Sequence, residues 1–227
     1  TCIVDEDTTH VKGVHLIPAD MIVGQIRSFL GDVGADCIKI GMLYSKNIIR
    51  LVAGILDEYS SIPVVVDPVM VTSSGDKLLE EDAVQAYKDY LFPRASILTP
   101  NKKEAEWLCG KELNEGNIEE CLKDLSRWGN SVVIKSVENR DFFIDYYYNP
   151  VEKVMKVYKK EGIRTRNVNG TGDSFASAIA TFLSKGYGIE FAVAEAERFI
   201  QQSIELGARF KFGRGFGPVY PYYEVQE

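Results

Sequence analysis

The sequence predicts an α/β fold built on a mainly parallel sheet. Three observations carry that expectation: short β-branched apolar runs, segments of helical apolar spacing between them, and one loosely alternating stretch around Asn149-Pro150. The runs occupy residues 37–40, 62–66, 96–98 and 131–134, each brief enough to be a strand buried on both faces. From Met21, apolar residues recur at Ile22, Ile26, Phe29 and Leu30, the spacing of a helix with one buried stripe. Ser45 reads as the N-cap of the next helix, whose apolar face is Ile48, Ile49, Val52, Ile55 and Leu56. Thr99-Pro100 reads as a cap followed by a first-turn proline, opening a helix through Glu104 and Trp107 that stops near Gly110. A further helix is expected over residues 118–128. Residues 141–158 read as an antiparallel hairpin, because Phe143, Asp145 and Tyr147 alternate before the turn and Val154, Lys156 and Tyr158 after it. Parallel strands with an antiparallel edge hairpin make a mixed sheet.

Composition bounds the function. A chain of 227 residues, 45% apolar and 26% charged, suits one domain, and no repeat or low-complexity linker divides it, so residues 1–227 are read as a single domain. A net charge of −7 argues against nucleic acid or an acidic membrane surface as partner, so any bound anion has to be held locally. The four cysteines, Cys2, Cys37, Cys109 and Cys121, form no C-x-x-C pair, and His10 and His15 do not complete a zinc set with them. The expectation is a reducing, cytoplasmic setting without structural metal. No run reaches the ~18 apolar residues of a membrane span. The chain opens on Thr1 rather than methionine, which reads as an excerpt of a longer polypeptide.

The most informative stretch is Asn169-Gly170-Thr171-Gly172-Asp173-Ser174-Phe175, followed by Ala178, Ile179, Phe182 and Leu183 at helical spacing and a stop at Lys185-Gly186. Glycines before a helix let backbone N–H groups face a guest, and the helix dipole favours negative charge there, so the loop is a candidate phosphate cradle. Its alternative is an ordinary first turn with Asp173 as a capping carboxylate. Asp67-Pro68-Val69-Met70 follows one apolar strand, and Thr99-Pro100-Asn101 with Glu104 follows the next. Ligands of open parallel sheets bind beyond the carboxyl ends of the strands, which puts these acidic groups on one edge. Asp67 and Glu104 are the candidate Mg²⁺ residues, acting through the ion's water shell. A strand-terminal turn and a solvated helix face are their structural alternatives.

Together with Lys39-Ile40-Gly41-Met42-Leu43, Val133-Ile134-Lys135 and the tail Gly213-Arg214-Gly215-Phe216-Gly217-Pro218-Val219, these motifs resemble, in order and across nearly the whole chain, the hydroxymethylpyrimidine/phosphomethylpyrimidine kinases of the ribokinase-like superfamily. The resemblance implies a three-layer α/β/α ribokinase-like sandwich. It implies phosphorylation of 4-amino-5-hydroxymethyl-2-methylpyrimidine and then of its monophosphate in thiamine biosynthesis, with ATP and Mg²⁺ as cofactors and a homodimer as the assembly. By the same resemblance, Asp173 is the general base, and the N–H groups of Gly170, Thr171 and Gly172 face the transferring phosphoryl group. Lys135, Asn101 and Thr171 meet ATP, while Glu6, Met42 and Val69 line the pyrimidine pocket.

The chain departs from that pattern in four places. Asp173 stands where many members carry cysteine. Ser136-Val137 replaces the usual Gly-Gly after the lysine strand, and Glu6-Asp7 replaces a Gln-Asn pair, exchanging an amide for a carboxylate that cannot donate when ionised. The strand and Gly/Ser-rich substrate loop that open family members do not precede Thr1. The alternatives are a pyridoxal kinase, in which an aspartate at position 173 is equally at home, and a non-catalytic pyrimidine-binding regulatory domain. A nicotinamide-binding fold is disfavoured, because no G-x-G-x-x-G follows the first strand.

Overall fold

Strands of three residues or fewer survive only where both faces are covered, and the centre of this chain is built that way. In the computed structural model, which describes residues 1–70, 83–139 and 142–222, the chain runs β1 (Cys2–Glu6), β2 (Val11–Leu16), α1 (Ala19–Asp32), β3 (Ile38–Ile40), α2 (Lys46–Glu58), β4 (Val64–Val66), α3 (Ala83–Ala86), β5 (Ile97–Leu98), α4 (Lys102–Cys109), α5 (Ile118–Leu125), β6 (Ser131–Asn139), β7 (Phe142–Asn149), β8 (Val154–Glu161), α6 (Thr171–Ser184) and α7 (Ile189–Gly207). Val71, which directly follows the Asp67-Pro68-Val69-Met70 stretch and continues that motif, and Asp141 of the expected hairpin lie outside the described residues. The main sheet has the order β3-β4-β5-β6-β7-β8; β3 to β6 are parallel, and β7 and β8 run antiparallel at the edge. This is the mixed sheet expected of an α/β fold, with a separate antiparallel β1–β2 hairpin.

Alternation along the strands makes two cores. Val64, Val66, Leu98, Val132 and Ile134 face a layer that includes α2, α4 and α5, whereas Val65, Ile97, Val133 and Tyr147 face α6 and α7. The three successive tyrosines of β7 divide by the same rule: Tyr147 enters the α6–α7 core, and Tyr146 and Tyr148 pack against the other. They are packing residues on opposite faces, not one patch.

Several local readings change. Ser45 caps α2 as expected, accepting from the Ile48 N–H at 3.4 Å. The cap of α4, however, is Asn101 rather than Thr99: the Asn101 side chain accepts from the Glu104 N–H while the Glu104 carboxylate accepts from the Asn101 N–H, a reciprocal capping box. α4 ends at Gly110, which is left-handed at φ 68°. α5 stops at Leu125, and Trp128 lies beyond it, edge-on to Phe92 with ring centroids 5.5 Å apart. β6 runs on past Lys135, so that lysine lies inside a strand and not at its end. The cysteine spacing, read as a reducing setting without structural metal, did not anticipate a bond that the structure contains: Cys109 of α4 and Cys121 of α5 form a disulfide, with their Cα atoms 6.0 Å apart. Among the described residues, no helix is long and apolar enough to cross a membrane.

The glycine-rich tail has a structural task. Thr8, at the tip of the β1–β2 hairpin, accepts the Phe216 N–H on its carbonyl at 2.8 Å and the Arg214 and Gly215 N–H groups on its hydroxyl at 3.2 and 3.1 Å. The backbones approach so closely that a Cβ on Gly215 would collide with the Thr8 carbonyl, so only glycine fits there.

Leu98 lies fully buried on the two-residue central strand between two parallel neighbours. Leu98→Ala is expected to lower stability by about 2–5 kcal/mol, read as a shifted midpoint with unchanged slope in urea unfolding.

Candidate active site

Parallel strands deliver their following loops to one edge, and here those loops converge with the N-terminus of α6. Asp67, the residue after β4, is almost wholly buried; its Oδ1 accepts from the Thr99 hydroxyl at 3.0 Å and from the Lys135 ammonium at 2.9 Å. Burial opposes the Lys135 charge, but Asp67 and Glu104 outweigh it and hold the amine above its usual range. Glu104 is buried as well, accepting the Asn101 N–H at 2.8 Å and the Met70 N–H at 3.3 Å. Burial, reinforced by the nearby Asp67, pushes its carboxyl up to about 7 against the opposing pull of Lys135. With Asp67 and Glu104 both ionised, two buried carboxylates face one ammonium, an excess that a divalent cation relieves. Oxygen donors of this kind suit Mg²⁺. Among the described residues no cluster of three acidic, histidine or cysteine ligands exists, so these two carboxylates would hold such an ion with water and phosphate completing its shell.

The loop before α6 fits around this pair. A Cβ on Gly172 would lie 3.3 Å from Lys135 Nζ and 3.5 Å from Asp67 Oδ2, so the absence of a side chain lets the helix start press onto the ion pair. Gly170 takes the left-handed conformation at φ 80°, which turns the chain into the helix. The Thr171 N–H and hydroxyl both bond to the Val168 carbonyl, at 3.2 and 2.6 Å. Among the described residues, the N–H groups of Gly170, Gly172 and Asp173 have no acceptor, which leaves them open to an anion. Asn101 likewise spends its side-chain oxygen on the helix cap, keeping only its NH₂ for a ligand.

Asp173 is largely exposed and one of its oxygens meets the Lys39 ammonium at 2.8 Å. Lys39 was visible in its motif but carried no site role in the sequence; the structure makes it the partner of the candidate base. A cavity of about 970 Å³ joins these groups. Glu6, Met42 and Val69 border it along with Asp67, Asn101, Glu104, Lys135 and residues 170–173. Every sequence-predicted site residue therefore lies on one cavity, with Glu6 brought there by the β1–β2 hairpin.

A second buried charge cluster reaches the same cavity through Asp145 and Lys160. Asp145 of β7 receives Lys160 of β8 at 2.8 Å, and Lys160 also approaches Glu197 of α7 at 2.5 Å. The latter contact is close but poorly aligned, so among the described residues neither Glu197 oxygen has a well-directed donor. Burial, followed by the neighbouring Asp145, pushes the Glu197 carboxyl up to about 8. The sequence did carry a signal: Ala192, Val193, Ala196 and Ile200 form the buried stripe of α7, and Glu197 interrupts that stripe.

The family model described as phosphomethylpyrimidine kinase matches residues 1–220. The chain is 35% identical over 226 residues to a thiamine biosynthesis bifunctional protein of Geobacter sulfurreducens, covering 96% of this chain and 44% of that protein. It thus spans less than half of that relative's length. It is 32% identical over 230 residues to a hydroxymethylpyrimidine/phosphomethylpyrimidine kinase of Mycobacterium bovis, covering 99% of this chain and 82% of the relative. Among solved structures, it is similar to an ADP complex of Bacillus subtilis pyridoxal kinase, with a TM-score of 0.86, 30% identity, and coverage of 97% of this chain and 84% of that one.

The raised Glu197 carboxyl fixes a pH response. A carboxyl whose pKa is raised on folding adds stability that is complete below its unfolded value of 4.5 and lost as pH rises through about 8. Urea unfolding between about pH 5 and about pH 9 should therefore show declining stability, and Glu197→Gln, which is always neutral, should flatten the decline. An unchanged pH slope in that variant would remove Glu197 as the source.

Proposed function

The chain belongs to the phosphomethylpyrimidine kinase family, and on that premise we propose that it transfers a phosphoryl group from Mg-ATP to 4-amino-5-hydroxymethyl-2-methylpyrimidine and then to the resulting monophosphate, for thiamine biosynthesis. The observation that carries the reading is the meeting, on one cavity, of a carboxylate held by a lysine, a buried lysine held by a carboxylate, and a helix start with open N–H groups.

Each group has a task in this reading. Lys39 occupies one oxygen of Asp173, which leaves the other to accept the proton of the substrate hydroxyl as that oxygen attacks phosphorus. The open N–H groups of Gly170, Gly172 and Asp173 receive the equatorial oxygens of the transferring group, with the α6 dipole behind them. Lys135 supplies positive charge to the ATP phosphates, and the Asn101 NH₂ adds a donor. Thr171 shapes the loop through Val168 instead of meeting phosphate directly. Asp67 and Glu104 would hold Mg²⁺ together with water, and the ion would supply positive charge against the phosphates. Met42 and Val69 wall the pyrimidine, and Glu6 accepts from its exocyclic amine. A cytoplasmic homodimer is part of the same reading, as family likeness implies.

Pyridoxal is the second substrate considered, favoured by the likeness to the Bacillus subtilis enzyme and by the aspartate at position 173. ADP formation with hydroxymethylpyrimidine and pyridoxal offered separately separates the two. The expected result is turnover on the pyrimidine, with kcat lower by about 10²-fold or more in Asp173→Ala. Preference for pyridoxal would move the chain to vitamin B6 salvage, and binding of pyrimidine without ADP formation would make it a regulatory domain. Glu6→Gln should shift the ratio of kcat/KM between the two substrates while leaving the ATP KM unchanged; an identical ratio removes Glu6 from the pocket.

A further inference from the structure

We propose that Asp145 is the positioning residue for Lys135: its carboxylate holds a two-residue bulge in β6 that turns the Lys135 ammonium toward the phosphate end of the cavity. The inference rests on the phosphate role given to Lys135 above and adds how the chain aims that side chain.

Register provides the first observation. Ile134 pairs with Tyr146 and Val137 pairs with Ile144, so Lys135 and Ser136 together stand opposite the single residue Asp145. Ile134 and Val137 both enter the core on the α4–α5 side, whereas uninterrupted alternation would send them to opposite faces. One inserted residue accounts for both facts. Bulges of this kind re-aim side chains, and the side chain re-aimed here reaches from β6 across β5 to the aspartate after β4.

Conformation provides the second. Ser136 sits at φ 59°, a left-handed backbone that a residue with a side chain adopts at a cost and glycine adopts freely. Where the resembling family carries Gly-Gly, this chain carries Ser136-Val137, so its bulge needs an anchor. The anchor is the Asp145 Oδ1, which accepts the Ser136 N–H at 2.7 Å. The other oxygen is fixed by Lys160 at 2.8 Å, and Lys160 also lies 2.5 Å from the Glu197 carboxyl. Asp145 is buried and cannot swing away. The chain of contacts runs from α7 through β8 and β7 to the backbone that carries Lys135.

The test uses the whole chain with Asp145→Asn, whose single oxygen cannot serve both the Ser136 N–H and the Lys160 ammonium as two carboxylate oxygens do. Brief labelling with acetic anhydride, read by peptide mass spectrometry, reports the Lys135 amine without reference to activity. Asp145→Asn should label Lys135 about tenfold faster with Lys39 unchanged, and should raise the ATP KM about tenfold or more with the pyrimidine KM unchanged. Adding Ser136→Gly should restore both, because glycine holds the bulge without its anchor. Asp145→Glu, which keeps the charge and moves it by one methylene, gives the same labelling readout should Asp145→Asn fail to fold. Unchanged Lys135 labelling, or equal acceleration at every lysine, overturns the proposal. In a Lys135→Met background, Asp145→Asn should add no further loss in ATP use; a full additional loss also overturns it. If Lys135→Met leaves ATP kinetics unaltered, the phosphate role of Lys135 fails, while the labelling still decides whether Asp145 aims the amine.

Discussion

The buried ion pair between Asp67 and Lys135 is the contact around which the site is arranged. Withdrawing two charges from water is expensive, and a pair at 2.9 Å rarely repays that cost in stability alone. Its presence in the core shapes what surrounds it. Gly172 lacks a side chain so that α6 can begin against the pair, and Thr99 gives its hydroxyl to Asp67 instead of capping a helix. The capping task passes to Asn101, which brings Glu104 into the same charged pocket. A polar core of this kind is worth its cost only if a guest of complementary charge completes it.

Much of this was legible beforehand, for identifiable physical reasons. Two-sided strands are unbroken apolar runs, and helices with one buried stripe announce their period, so β3 to β6, α1, α2 and α6 could be read directly. The β1–β2 hairpin could not be read, because its residues are half exposed and its position depends on Thr8 meeting a tail more than 200 residues away. Distant partnership also hid the roles of Lys39 and Lys160: nothing near either lysine in sequence names its acidic partner. The Cys109–Cys121 disulfide is of the same type, since a sequence separation of 12 discloses neither the facing of α4 and α5 nor the 6.0 Å between the two Cα atoms. The shift of the α4 cap from Thr99 to Asn101 has a different cause. Both residues are good caps, and local preference cannot weigh a buried carboxylate that claims one of them.

The two charged clusters at the cavity differ in kind. Asp67, Lys135 and Glu104 present unmet charge to the cavity, whereas Asp145, Lys160 and Glu197 sit behind the sheet edge with their charges largely spent on one another. Burial pushes the Glu197 carboxyl toward its neutral form, and Asp145 and Lys160 pair with each other, which limits the field this cluster offers a ligand. It therefore acts through geometry, by holding backbone, where the first acts through potential. One mixed sheet accommodates both because its antiparallel edge gives β7 and β8 inward-facing positions that α7 can cover.

The clasp at Thr8 bears on how the cavity is bordered, because Thr8 and Phe216 both line it. Three backbone donors close it, on one carbonyl and one hydroxyl, and no apolar core residue of the sheet takes part. The hairpin that carries Glu6 is therefore held to the glycine-rich segment by backbone donors on Thr8 and by a backbone approach that only glycine permits, apart from both cores of the sheet.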